Sequence, residues 1–263
     1  MIKNKSMNVK ISQSLMKGYN EYKSEKLCGL LFKAKYIDRN LPFVTSPSMQ
    51  EGIYFEYLAT GSLPKSGEIP EPEYTLKKEL KEPYKRIVQA VELFKKIISH
   101  YGIKILESGY TIQNDEKSGV LDILAEWNGE KCIIDLKYSG LIDDKWNELG
   151  WELNSLPEKD GLMMQGVHYK MLAKEVLGID DIPFYYFIFN SKNPNDMKII
   201  RQHVDEDRYF FHQMAINKTR DGIEKELYEG FKAYPDYRKC IECPLFEKCD
   251  VRAEFPLINE VYY

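Results

Sequence analysis

The chain has 263 residues, 43% of them apolar, with 37 basic and 41 acidic side chains. That is enough apolar material for a sizeable core, and the slight negative balance excludes binding to nucleic acid through overall charge alone. No apolar run is long enough to span a bilayer, and MIKNKSMNVKISQSL lacks the features of a secretory signal, so the expectation is a cytoplasmic protein with no membrane role.

An N-terminal segment carrying Cys28 leads into a helical stretch, SMQEGIYFEYLATG, at 48–61. Pro64, Pro70 and Pro72 make residues 61–75 a loop. A helix at about 84–101 starts after Pro83 and carries Ile87, Val91, Phe94 and Ile98 at helical spacing. Lys77, Lys78, Lys81, Lys85, Arg86, Lys95 and Lys96 gather around it, and a solvated helix face accounts for each of them. Strands follow near 103–113, 119–127 and 131–138. Next comes a helix near 160–177, with Asp160 as N-cap and Gly178 as its stop. Two further strands, FYYFIFN (184–190) and MKIIRQHV (197–204), are joined by a polar turn with Pro194. A long polar helix at about 205–230 precedes a cysteine-rich tail. With no repeat and no convincing linker, the expectation is one compact α/β domain, 1–263, with appended helices.

The second and third strands pose a question. Asn128-Gly129 between alternating apolar runs predicts a two-residue type I′ hairpin. Trp127 then pairs with Glu130, Asp122 faces Asp135, and Val120 faces Lys137. Alternation puts Asp122, Asp135 and Lys137 on one face. Opposed carboxylates stand roughly 5 Å apart at Cβ and repel. A divalent cation between them is the simplest compensation.

The helix at 160–177 adds a stripe of Leu162, Gln165, Tyr169, Leu172 and Val176, apolar except for an amide and a phenol. Gln165 alone reads as a hydrogen-bonded core residue, but after an acidic hairpin it and Tyr169 suit the orientation of a metal-bound water or a phosphate. His168 points off this face and is set aside.

Asp122, Asp135-Leu136-Lys137 and Gln165-x-x-x-Tyr169, in this order, resemble the PD-(D/E)XK nuclease superfamily, specifically its RecB-like branch. GIYFEYL (52–58) resembles that branch's upstream helical motif, which places Glu56 at an early metal-ligand position often held by histidine. Leu121 stands where the family name shows proline. The resemblance implies a restriction-endonuclease-like mixed β-sheet flanked by helices, with core motifs over 48–205. It implies Mg²⁺ or Mn²⁺ on Glu56, Asp122, Asp135 and the Leu136 carbonyl. Lys137 would stabilise hydroxide and developing negative charge, which is the chemistry phosphodiester hydrolysis needs. No G-x-x-x-x-G-K-[ST] phosphate loop occurs, so the chain carries no ATPase motor motif of that kind.

The tail KCIECPLFEKCD holds Cys240, Cys243 and Cys249. Three thiolates in a reducing compartment point to metal ligation, with Cys28 or Cys132 as the fourth ligand. Cys132 sits among Ile133 and Ile134 opposite Asp135, as a core cysteine would. The iron–sulfur members of the RecB-like branch join one cysteine before the nuclease core to three after it. That resemblance implies a 4Fe–4S cluster on Cys28, Cys240, Cys243 and Cys249, in a helical lobe formed by about 20–40 and 230–255. A four-cysteine zinc site is the alternative. The expected function is a metal-dependent DNA exonuclease acting on single strands or duplex ends, with a helicase, recombinase or integrase as possible partner. The alternatives are a catalytically silent DNA-binding or scaffolding subunit, and an endonuclease of the same fold.

Overall fold

Asn128 and Gly129 do turn the chain. In the computed structural model, which describes residues 9–41, 46–64, 67–140 and 157–256, both take left-handed φ values, +54° and +80°. The strands they join belong to a five-stranded sheet in chain order: β1 (Lys104–Gln113), β2 (Ser118–Trp127), β3 (Glu130–Ser139), β4 (Phe184–Asn190) and β5 (Met197–Gln202). All neighbours are antiparallel except β3 and β4, which run parallel. A parallel pair needs a crossover, and a helix within residues 140–183 supplies part of it.

Among the described residues the α-helices are α1 (Gln13–Lys23), α2 (Gly29–Phe32) continued by a π-helical turn (Lys33–Ile37), α3 (Pro47–Thr60), α4 (Glu82–His100), α5 (Pro157–Leu177), α6 (Glu206–Glu229) and α7 (Tyr237–Cys240). Local chemistry explains their ends. Ser46 caps α3 by accepting from Met49 N at 3.3 Å, Pro47 opens its first turn, and Gly61 closes it with φ +73°. The start of α5 departs from expectation. It begins at Pro157, so Asp160 lies inside the helix rather than at its cap. Proline suits a first turn because its missing N–H would find no partner there.

The chain divides into two compact units, Phe43–His212 and Met1–Pro42 with Gln213–Tyr263. The first contains the whole sheet. Ile123, Ala125, Cys132, Ile134, Leu136, Phe187 and Phe189 pack one face against Phe55 of α3 and Ile87, Val91 and Phe94 of α4. Leu121, Leu124, Ile133, Phe184, Tyr186 and Ile188 pack the other against Tyr169, Leu172 and Ala173 of α5. The continuous apolar run of β4 is thus a strand buried on both faces. Within the expected α5 stripe, Val176 is 38% exposed, and the end of the helix packs through Leu177 instead. The side chain of Leu162 lies outside the described residues.

In the other unit, segments from both ends of the chain share one aromatic core. Tyr22 stacks on Phe32, and both rings meet Phe231. Tyr22 Oη donates to Glu226 Oε2 at 2.7 Å and accepts from Lys232 N at 3.1 Å. Gly29 N donates to Lys232 O, and a Cβ at Gly29 would stand 2.3 Å from that oxygen. Among the described residues no helix is long and apolar enough to cross a membrane.

Candidate active site

The site is built where β2 breaks its pleat. β1 opposes Ser108 with Ile123 and Tyr110 with Leu121, passing over Asp122 and Gly109, whose φ is +62°. The pairing of β2 with β3 ends at Ile123 and Ile134. Leu121 therefore packs on the α5 side and Ile123 on the α3–α4 side, although residues two apart in a regular strand share a face. Such irregularities re-aim a side chain. Asp122 and Asp135 are accordingly not cross-strand partners as the simple register requires, nor are Val120 and Lys137. Asp122 Oδ2 instead accepts the Leu136 N–H at 2.8 Å. The carboxylate takes the backbone donor that a continued ladder would have used.

Asp135, 1% exposed, projects from β3 toward α5. Its Oδ1 accepts from Gln165 Nε2 at 2.8 Å, and its Oδ2 lies 2.5 Å from Lys137 Nζ. Oδ2 is buried, and the Lys137 ammonium lies directly against it. Gln165 also bridges Tyr169 Oη and Lys137 Nζ, each at 3.4 Å. Burial pushes the Asp122 carboxyl well above its usual range, and the charges of Asp135 and Glu56 push it further. Burial raises Asp135 as well, with Lys137 opposing the rise. Burial works against the Lys137 ammonium, but Asp135, Asp122 and Glu56 together outweigh it and raise its pKa. Three acids thus act on one ammonium, and the set has an excess of negative charge.

Three successive contacts seat α5 on the start of β2. His168 Nε2 lies 3.1 Å from Ser118 O, the Tyr169 ring fills the space where Gly119 lacks a Cβ, and Val120 N–H donates to Tyr169 Oη. His168 is fully buried, with Ser118 O on one side of its ring and His212 on the other. A Cβ at Gly119 would stand 2.5 Å from Tyr169 Cε1. Gly119→Ala is therefore expected to lower unfolding stability by ~1–3 kcal/mol in urea titrations, through overpacking. Gly52→Ala is the control: its Cβ meets nothing within 4 Å, inside α3. That change should be neutral or stabilising by up to ~1 kcal/mol. Equal effects at the two positions would show that the Tyr169 ring yields freely.

The cysteines separate cleanly. Cys132 is buried in the α3–α4 core, where burial pushes its thiol up to about 12. Cys28, Cys240, Cys243 and Cys249 line one cavity of about 290 Å³ in the unit that joins the chain ends. Lys26, Lys239 and Arg252 share its wall with Glu242, and Ala253 N–H points at Cys240 Sγ at 3.5 Å. Burial raises the Cys243 thiol, and the other three sulfurs add to the rise. Among the described residues, however, no three His, Cys, Asp or Glu side chains converge tightly enough to hold a metal ion.

Three of the seven basic residues around α4 pair with acids, and a fourth bonds a backbone carbonyl. Lys81 pairs with Glu73, Lys85 with Glu82 and Lys95 with Glu92, while Arg86 Nε donates to Ser191 O. Such exposed pairs contribute about 0–1 kcal/mol each.

No family model and no curated protein matches this chain. A crystal structure from Eubacterium rectale, described as a "Putative exonuclease", is similar over 100% of this chain and 96% of its own, with a TM-score of 0.60 and 18% identity. A second, the crystal structure of SSO0001, covers 93% and 88% of the two chains with a TM-score of 0.34 and 10% identity. The first likeness shows a shared fold. The second is too slight to add to it.

Proposed function

We propose that this protein is a divalent-cation-dependent DNA nuclease of the PD-(D/E)XK kind, hydrolysing phosphodiester bonds at single-stranded or duplex ends. One observation carries the reading: half-buried Asp122 and buried Asp135 gather beside a single ammonium, on which Glu56 also acts. Burying that excess of negative charge is unfavourable unless a cation offsets it. The shared fold with a protein described as a putative exonuclease supports the same reading.

Asp122, Asp135, Glu56 and the Leu136 carbonyl are the groups that would hold Mg²⁺ or Mn²⁺. When bound, the ion supplies Lewis acidity toward the phosphate and lowers the pKa of a coordinated water. Lys137 presents positive charge to a hydroxide and to the oxygens of a phosphorane-like transition state. Gln165, bonded to Asp135 and within reach of Lys137, holds the two in register. The water oxygen bonds to phosphorus, the ester bond to the leaving sugar oxygen breaks, and the water's proton passes to that oxygen or to solvent. Lys137→Ala is expected to lower kcat by at least ~10²-fold while leaving Mn²⁺ binding intact. Lost metal binding with a normal rate at saturating Mn²⁺ would reduce Lys137 to a charge partner of Asp135. The substrate mode is tested with linear and covalently closed single-stranded DNA, with and without Mn²⁺. Matching rates on both would replace the exonuclease with an endonuclease, and no cleavage of either would sink the nuclease reading.

The cysteine cavity is the basis for a second proposal. We infer a 4Fe–4S cluster on Cys28, Cys240, Cys243 and Cys249. All four line one cavity of about 290 Å³, which has room for a polyatomic cluster; iron, sulfide and zinc content distinguish that cluster from a four-thiolate zinc site. Lys26, Lys239 and Arg252 offset the anionic charge that such a cluster carries.

A further inference from the structure

His168 and His212 form a buried pair with a definite proton arrangement. They are 0% and 1% exposed, and His168 Nδ1 lies 3.0 Å from His212 Nε2. His168 Nε2 faces Ser118 O, an acceptor only, so that nitrogen carries the proton. Neutral His168 then accepts at Nδ1, and the proton between the rings belongs to His212 Nε2. This leaves His212 Nδ1 as a bare acceptor, and it has no hydrogen-bond partner.

The surroundings hold this arrangement. Lys117, 2% exposed, forms an ion pair with Glu175 Oε1, and Asn114 Nδ2 donates to Glu175 Oε2 at 2.6 Å. Lys117 opposes a positive charge on either ring, while Glu175 favours one on His168. Burial is the larger influence and pushes His168 down to about 4 and His212 down to about 3. Both rings therefore stay neutral through the physiological range.

His168 lies three residues after Gln165 and one before Tyr169, and its bond lands on the residue that opens β2, four before Asp122. We propose that the His168–His212 pair is the positioning element of the site: the proton chain from His212 through His168 to Ser118 O sets the height of α5 along β2, and so the reach of Gln165 to Asp135. This rests on the nuclease reading for its effect on rate, but not for its effect on structure.

The test uses the full chain and two substitutions. His168→Gln keeps one donor and one acceptor, whereas His168→Leu fills the space with neither. In the wild type, ring-nitrogen NMR should show both imidazoles neutral and protonated at Nε2 from about pH 5.5 to 8. In His168→Leu, exchange of the Val120 amide, which is held by Tyr169 Oη, should quicken by at least ~10-fold. Turnover on linear DNA with Mn²⁺ should fall by at least ~10-fold with KM little changed. His168→Gln should restore both. Imidazoles that titrate near their ordinary pKa, or unchanged Val120 exchange in the leucine variant, would overturn the proposal. So would failure of the glutamine variant to recover either property. If His168→Leu does not fold, the wild-type ring signals and the glutamine variant still decide. Wild-type protein that cleaves no DNA would refute the nuclease reading alone, leaving the NMR and exchange results to judge the pair.

Discussion

Asp135→Asn is expected to abolish cation-dependent cleavage and to raise the melting temperature of the cation-free protein. The two effects share a cause. Asp135 Oδ2 is buried beside one ammonium that Asp122 and Glu56 also draw upon, so the native site holds an excess of negative charge. Asparagine keeps the shape and an Oδ1 acceptor for Gln165 but removes one charge. Cleavage should fall by ~10³-fold or more, as expected when a metal ligand is lost. In the wild type, Mn²⁺ at a hundred times its dissociation constant should add about 2.7 kcal/mol of stability, and the variant should lose most of that gain. The pH dependence has a definite sign. Both carboxyls have folded pKa values raised above their unfolded ones. The folded state therefore binds more protons, and cation-free stability declines as pH rises from about 3.9 through the raised folded values. Full activity in Asp135→Asn would sink the site assignment, and an undiminished Mn²⁺ shift would exclude Asp135 as a ligand.

Cys28→Ala should give colourless protein where anaerobically purified wild type is brown, with about four irons and four sulfides per chain. Cluster ligation would tie the segment around Cys28 to the tail around Cys240–Cys249, and cofactor binding of this kind adds directly to folding free energy. Limited proteolysis should accordingly open the unit formed by the chain ends in the variant. Cys132→Ala supplies the contrast. Its thiol is 1% exposed in the sheet's core, so the colour should survive at a stability loss of ~1 kcal/mol. Wild type with one zinc and no iron would replace the cluster by a four-thiolate site. Full iron content in Cys28→Ala would show that another group completes the set.

The order and type of elements are readable from the chain because they depend on neighbours. Asn128-Gly129 specifies its turn through two left-handed residues, and β4 announces burial on both faces by its unbroken apolar run. The period of two also separates Cys132 from Asp135, which face opposite layers. The placement of Asp122 is another matter. Its strand reads as a regular continuation of the hairpin, yet the pairing of β2 with β3 stops at Ile123, and Gly109 with its positive φ stands opposite Asp122 on β1. A register rule that counts outward from a turn has no access to where the ladder stops. The start of α5 at Pro157 obeys the first-turn preference of proline, a local signal that competes in the sequence with Asp160 as a cap. The bond from His168 to Ser118 was not legible at all. Fifty positions separate them, and no short-range pattern says which strand a helix will rest on. Sequence by itself determined the candidate acids, the lysine and the cysteines. Tertiary structure alone decided which of their atoms are paired, which are buried without a donor, and how α5 is held over them, because burial and hydrogen bonding are properties of whole layers packed together.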